Sequence, residues 1–90
     1  MAAGQITQGR RGDGLEVRPG DYWKEADGSW VLWIPGTHFI GLFGGTHSAH
    51  IVTEHEDGTI SLQGSIIIPS SFYLSERWHG YLERGVWREV

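Results

Sequence analysis

The sequence predicts an all-β protein, a small antiparallel β-sandwich or open barrel built from three hairpins. Three observations carry the prediction. Asp27-Gly28, Asp57-Gly58 and Arg84-Gly85 recur as turn dipeptides between apolar-rich flanks; glycine takes the positive φ that tight hairpin turns require, and an aspartate side chain braces its own backbone. The flanks alternate apolar and polar residues with the period of a half-buried strand, whereas no window of about ten residues carries the 3.6 period of an amphipathic helix. Finally, 14 Gly and 5 Trp in 90 residues combine frequent turns with large flat side chains suited to sheet faces or binding surfaces.

Ninety residues with 39% hydrophobic content support one core and not two. Residues 1–14 read as a flexible N-terminal arm and residues 15–90 as a single β domain. The chain has no cysteine, which rules out disulfides and thiolate metal sites and points to the cytoplasm of a cell. Neither a long apolar run nor a basic-then-apolar leader occurs, so no membrane partner is expected. A net charge of −4 disfavours a nucleic acid polymer, whose phosphates need a basic field. With so small a core, a homo-oligomeric interface is the expected extra source of buried surface.

In chain order, the arm is rich in Gly and Gln without apolar periodicity. Its Arg11-Gly12-Asp13 triplet resembles an adhesion motif but is common by chance, and Arg10-Arg11 offers charge to an acidic neighbour or a ligand phosphate. Residues 21–34 form the first hairpin. A two-residue turn at Asp27-Gly28 pairs Tyr22 with Trp33, Trp23 with Leu32 and Lys24 with Val31, which puts Trp23, Trp30 and Leu32 on one face. Residues 37–46 read as an apolar loop, because Gly41, Gly44 and Gly45 interrupt Phe39, Ile40, Leu42 and Phe43. It serves either as a lid with Phe43 over a ligand or as a tuck of Phe39 and Phe43 into the core.

The central hairpin turns at Asp57-Gly58. As a two-residue loop it pairs Glu54 with Ser61 and sends Ile51, Thr53, His55, Ile60 and Leu62 to the core; as a three-residue loop with a bulge at Gly58 the pairing shifts by one. Residues 65–68 form a short buried strand stopped by Pro69, and residues 70–76 a surface connection with Phe72 and Tyr73. The last hairpin turns at Arg84-Gly85, pairing Leu82 with Trp87 and Tyr81 with Arg88 in a two-residue loop, with a bulged loop as the alternative.

The densest set of titratable groups is His47, His50, Glu54, His55 and Glu56. Strand alternation divides His50 and Glu54 from His55, so three ligands do not converge without help from His38, His47 or His79, and no metal site is assigned. Ser61 and Ser65 lie near Glu54 and His50, yet neither a nucleophile elbow nor HExxH spacing is present, and no catalytic residue is assigned. Aromatic rings that stack on a flat base, beside the forked donors of Arg77, Arg84 and Arg88, point instead to binding.

Residues 56–66, EDGTISLQGSI, followed by residues 77–90, RWHGYLERGVWREV, resemble a group of small uncharacterised bacteriophage and prophage proteins. Their pattern is a Gly-Thr-hydrophobic strand leading to a Pro-Ser-Ile or similar triplet, a short connection, a Trp-His-Gly or Cys-His block and a Gly-centred last hairpin. Here Gln63-Gly64 precede Ser65-Ile66 where relatives carry proline, and the cysteines of some relatives are absent. The resemblance implies a phage-encoded protein that acts by stoichiometric binding. The leading expectation is a non-enzymatic anti-defence sponge, without cofactor, for a small nucleotide-like immune signal, with Trp33, Phe43, Trp78, His79, Tyr81 and Arg88 at the ligand. An inhibitor of a host protein or a minor virion component, and a metal-dependent hydrolase, are the alternatives.

Overall fold

The structure, a computed structural model, describes residues 5–45, 50–68 and 77–90. Within them every regular element is a strand: β1 Ile6–Gln8, β2 Arg10–Arg11, β3 Asp21–Lys24, β4 Trp30–Trp33, β5 Ile40–Phe43, β6 Val52–Glu54, β7 Ile60–Leu62, β8 Ile66–Ile68, β9 Trp78–Glu83 and β10 Val86–Glu89. They form a four-stranded sheet in the order β1-β10-β9-β8, a second in the order β2-β3-β4-β5, and the β6-β7 ribbon. All pairings are antiparallel except the short parallel contact of β2 with β3. The fold class is the predicted all-β one, with neither sheet closed into a barrel.

All three predicted hairpins are present, and their loops differ for a chemical reason. At Arg84-Gly85 the two-residue loop is the observed one: Tyr81 faces Arg88 and Leu82 faces Trp87, with both turn residues at positive φ. At Asp27-Gly28 and Asp57-Gly58 the loop has three residues. The Glu25 N–H donates to the Ser29 carbonyl, and the His55 N–H to the Thr59 carbonyl. In each loop the aspartate carboxylate accepts both the N–H and the hydroxyl of the residue two positions on, Ser29 or Thr59. That brace favours a turn followed by a bulge at the glycine.

The first hairpin is therefore shifted by one from the predicted two-residue pairing, and Tyr22 faces Leu32 while Lys24 faces Trp30. Tyr22, Trp30 and Leu32 share the core face, and Trp23, Val31 and Trp33 turn outward. The central hairpin follows its three-residue alternative: Glu54 faces Ile60 and Val52 faces Leu62, so Val52, and not Thr53 or His55, joins the buried pair.

Three further expectations are corrected. Residues 6–11 are no free arm. β1 adds an edge to one sheet and β2 an edge to the other, with Gly9 alone making the crossing. A Cβ on Gly9 would lie 2.6 Å from the Gly85 carbonyl oxygen, which itself accepts the Gly9 N–H; only glycine fits that approach. Residues 40–43 are a strand and no lid, because four residues suffice to pair with β4 and the glycines Gly44 and Gly45 end the strand instead of dissolving it. The predicted buried strand at residues 65–68 is half-buried: Ile66 and Ile68 point inward and Ile67 is 63% exposed. The connection at residues 70–76 lies outside the described residues.

One core holds the two sheets together. Tyr22, Trp30, Leu32, Ile34 and Phe43 from one side meet Ile66, Ile68, Trp78, Leu82 and Trp87 from the other, with Ile60 and Leu62 of the ribbon closing the end. Trp87 is its centre. Its ring meets Trp78 edge-on at 5.7 Å, and its Nε1 donates a buried bond of 2.9 Å to the Gly20 carbonyl in the loop that leads into β3. Three of the five tryptophans, Trp30, Trp78 and Trp87, are thus core.

Candidate functional site

Strand alternation in β9 sorts the predicted site residues. Trp78, Gly80 and Leu82 face inward, while His79, Tyr81 and Glu83 face out. Because Tyr81 is opposite Arg88 and His79 opposite Ile67, the outer face of β8-β9-β10 carries Ile67, His79, Tyr81 and Arg88 side by side. The Arg88 guanidinium lies 5.3 Å from the centre of the Tyr81 ring and bonds Glu83 at 3.2 Å; the His79 and Tyr81 rings are 6.4 Å apart.

At the end of this face a groove of about 390 Å³ is lined by Ile67, Ile68, Arg77, Trp78, His79 and Glu89. Trp78 points into the core along most of its ring yet reaches the groove because it begins β9, where the sheet ends. Arg77 makes no ion pair with another described residue. Groove and adjoining face together offer two guanidinium groups, Arg77 and Arg88, aromatic rings, and two carboxylates, Glu89 in the groove and Glu83 bonded to Arg88. A ligand with a flat ring and an anionic group finds both kinds of contact there.

Four of the six predicted ligand residues, Trp78, His79, Tyr81 and Arg88, are therefore brought together. Trp33 and Phe43 are not. Trp33 is on the outer face of the other sheet, where its Nε1 donates to the Thr37 carbonyl at 2.8 Å. Phe43 lies in β5 and is 8% exposed, part of the core and on no closing loop. Ile67 and Glu89 were not among the predicted ligand residues, and Arg77 was named only as one of three forked donors suited to binding. Reading the alternation outward from Tyr81 and Arg88 would have found Ile67, but Arg77 and Glu89 belong to the groove only through the meeting of three strand ends.

The histidine cluster resolves into local contacts. His50 Nε2 donates to the Ser65 carbonyl at 2.9 Å, and His55 Nε2 pairs with the Ser61 hydroxyl at 2.7 Å, which also accepts the Arg84 N–H. Among the described residues no three metal-ligating side chains converge; His47 lies outside them. The basic pair of the N-terminal segment meets acidic neighbours. Arg10 bonds Asp21 at 2.6 Å, and Arg11 bonds Glu54 at 2.6 Å while lying 4.9 Å from the Trp30 ring centre. The hydrogen bond from Arg11 holds the Glu54 carboxyl below its ordinary pKa, with Lys24 adding to the effect. The Thr59 hydroxyl and N–H do the same for Asp57.

Among the described residues no helix is long and apolar enough to cross a membrane. No family model, no curated protein and no solved structure matches the chain.

Proposed function

We propose that the protein acts by stoichiometric binding and not by turnover, holding a nucleotide-like small molecule on the outer face of β8-β9-β10. The observation that carries this reading is the groove lined by Arg77, Trp78 and His79 opening beside the Tyr81–Arg88 pair. A base stacks on the His79 and Tyr81 rings, an interaction worth about 1–3 kcal/mol. Arg77 and Arg88 take the phosphate through charge-assisted bonds, and Glu89 accepts from sugar hydroxyls. Arg88 is freed at small cost, since its bond to Glu83 is an exposed one. With the resemblance to small phage proteins, this makes the chain a phage-encoded sponge that lowers the free concentration of an immune signal.

The test is calorimetry and thermal shift against a panel of cyclic nucleotides and ADP-ribose derivatives. Saturable binding is expected for at least one, abolished by Tyr81→Ala and by Arg77→Ala and unchanged by Trp33→Phe. Silence across the panel removes the reading.

One observation favours a second reading, inhibition of a host protein. Ile6 and Ile67, 65% and 63% exposed, flank the same face and extend it into a flat, partly apolar patch of the kind protein partners cover. Capture of one host protein by the wild type and not by Ile67→Asp, with no small molecule released on heating, decides for it.

A further inference from the structure

The second sheet ends in an edge of a kind that folded proteins usually protect. β5 is four residues long, the longest edge strand among the described residues, and the stretch from Thr37 to Gly45 holds no Asp, Glu, Lys, Arg or Pro. Edge strands are normally blunted by charge, proline, a bulge or shortness, because their free N–H and C=O groups template pairing with another chain. Here the exposed side chains are Ile40 at 48% and Leu42 at 46%.

The hydrogen-bond phase of the edge follows from the ladder. The Ile34 N–H donates to the Phe39 carbonyl, so in the antiparallel β4-β5 pair Phe39, Gly41 and Phe43 direct their backbone groups to β4. Ile40 and Leu42 then turn theirs to the open edge. Among the described residues no backbone bond reaches either N–H from outside β4.

We infer that β5 is the self-association edge of this protein, pairing antiparallel with β5 of a second copy about a two-fold axis at Gly41. The register has one solution. Residues directly opposite must lie on the same face, and the bonded positions must be Ile40 and Leu42. Centring on Gly41 sets Ile40 opposite Leu42 of the second copy, twice, and forms four backbone bonds. Centring on Leu42 instead sets Ile40 opposite Gly44, whose φ of 77° has already left the strand, and centring on Ile40 sets Leu42 opposite His38, in the bend that precedes β5.

Side chains agree with this register on both faces. On the outer face Trp33 neighbours Ile40 and Val31 neighbours Leu42, so joining the copies makes a continuous row of Trp33, Ile40, Leu42 and Val31 across the joint, repeated once by the two-fold axis. On the inner face the axis passes Gly41, over which the Phe39 and Phe43 rings close, 2.7 and 3.1 Å from where a Cβ would lie. The absence of charge matters because two copies of a chain with net charge −4 otherwise repel. Two short edges bury well under the ~1,200 Å² of a standard interface, so the dimer is weak and concentration-dependent. The inference stands independently of the ligand-binding face, which lies on the other sheet.

Sedimentation equilibrium from about 10 µM to about 1 mM tests it. The wild type is expected to pass from monomer to dimer. Ile40→Asp and Leu42→Lys each weaken the dimer by about tenfold or more, because every substitution occurs twice across the axis. The double variant Ile40→Asp, Leu42→Lys recovers it, since the acid of one copy faces the base of the other; a joint centred on Leu42 would bring two lysines together and stay apart. Hydrogen exchange gives a second readout that needs no variant: the Ile40 and Leu42 amides gain protection with concentration and the Gly41 amide does not. A wild-type monomer at about 1 mM, single variants that dimerise like the wild type, a double variant as weak as the singles, or exchange at Ile40 and Leu42 independent of concentration would each overturn the assignment.

Discussion

Replacing Trp87 by phenylalanine removes the indole N–H that ties the two sheets through the Gly20 carbonyl, together with part of the ring that meets Trp78. The donor is buried, with the residue 1% exposed, and the bond is 2.9 Å long. The Gly20 carbonyl would keep one poor partner, the Arg10 N–H at 3.4 Å. Leaving a buried acceptor without a good donor costs about 1–3 kcal/mol. The smaller ring leaves unfilled volume, at a further cost below the about 3–5 kcal/mol of a full Trp→Ala truncation. A total near 3 kcal/mol is expected, a large share of the roughly 5–13 kcal/mol that a domain of this size holds. For a chain of this length it lowers Tm by about 12–24 °C. Urea denaturation followed by far-ultraviolet circular dichroism reads it directly: the midpoint falls while the slope m stays constant, because the surface exposed on unfolding barely changes. Trp23→Phe is the control, a half-buried tryptophan on the outer sheet face with a cost under about 1 kcal/mol. Equal losses in the two variants would refute the claim that Trp87 is the joint between the sheets.

Gly80→Ala places a Cβ 2.4 Å from the Arg88 carbonyl oxygen and 2.6 Å from the Trp78 ring, so it destabilises by at least about 2 kcal/mol in the same urea assay. Arg84→Asn does the opposite. Arg84 sits at a φ of 47° beside Gly85, where asparagine is tolerated better, and a gain of a few tenths to about 1 kcal/mol is expected with no change in the bond from its N–H to Ser61. Acid weakens the fold in a defined window. Glu54 and Asp57 have folded pKa values below their unfolded ones, so the stability they contribute is present above the unfolded values and is lost as pH falls through the folded ones. The urea midpoint should therefore drop below about pH 4. The drop should shrink in Glu54→Gln and in high salt, since the Arg11 and Lys24 partners are exposed.

Much of the candidate site could be read from β9 and β10. A two-residue turn at Arg84-Gly85 puts Tyr81 beside Arg88 and alternation adds His79, all from local chain geometry. Register at the other two hairpins was open to the same kind of reading but hung on one more residue. Ser29 and Thr59, directly after the Asp-Gly pairs, supply the hydroxyl and N–H that close the aspartate brace, and Val86 after Arg84-Gly85 has no such hydroxyl. Of the two roles open for Phe43 the structure shows the core one; its strand is hidden in the sequence because three glycines in residues 41–45 look like loop, while pairing with β4 supplies the order that local propensity lacks.

The polypeptide by itself determined that the chain turns at three glycine corners, that its apolar residues alternate as strands require, and that no cysteine chemistry takes part. Those are properties of neighbours a few bonds apart, set by φ preference and side-chain period. Only the tertiary structure decided that residues 6–11 bridge two sheets across Gly9, that Trp87 and not Trp23 is the joint, and that Arg77 shares a groove with Glu89. Each of these depends on main-chain groups and ring faces brought together over long sequence separations, where the free energy lies in burial and in satisfied hydrogen bonds and leaves no period in the sequence to read.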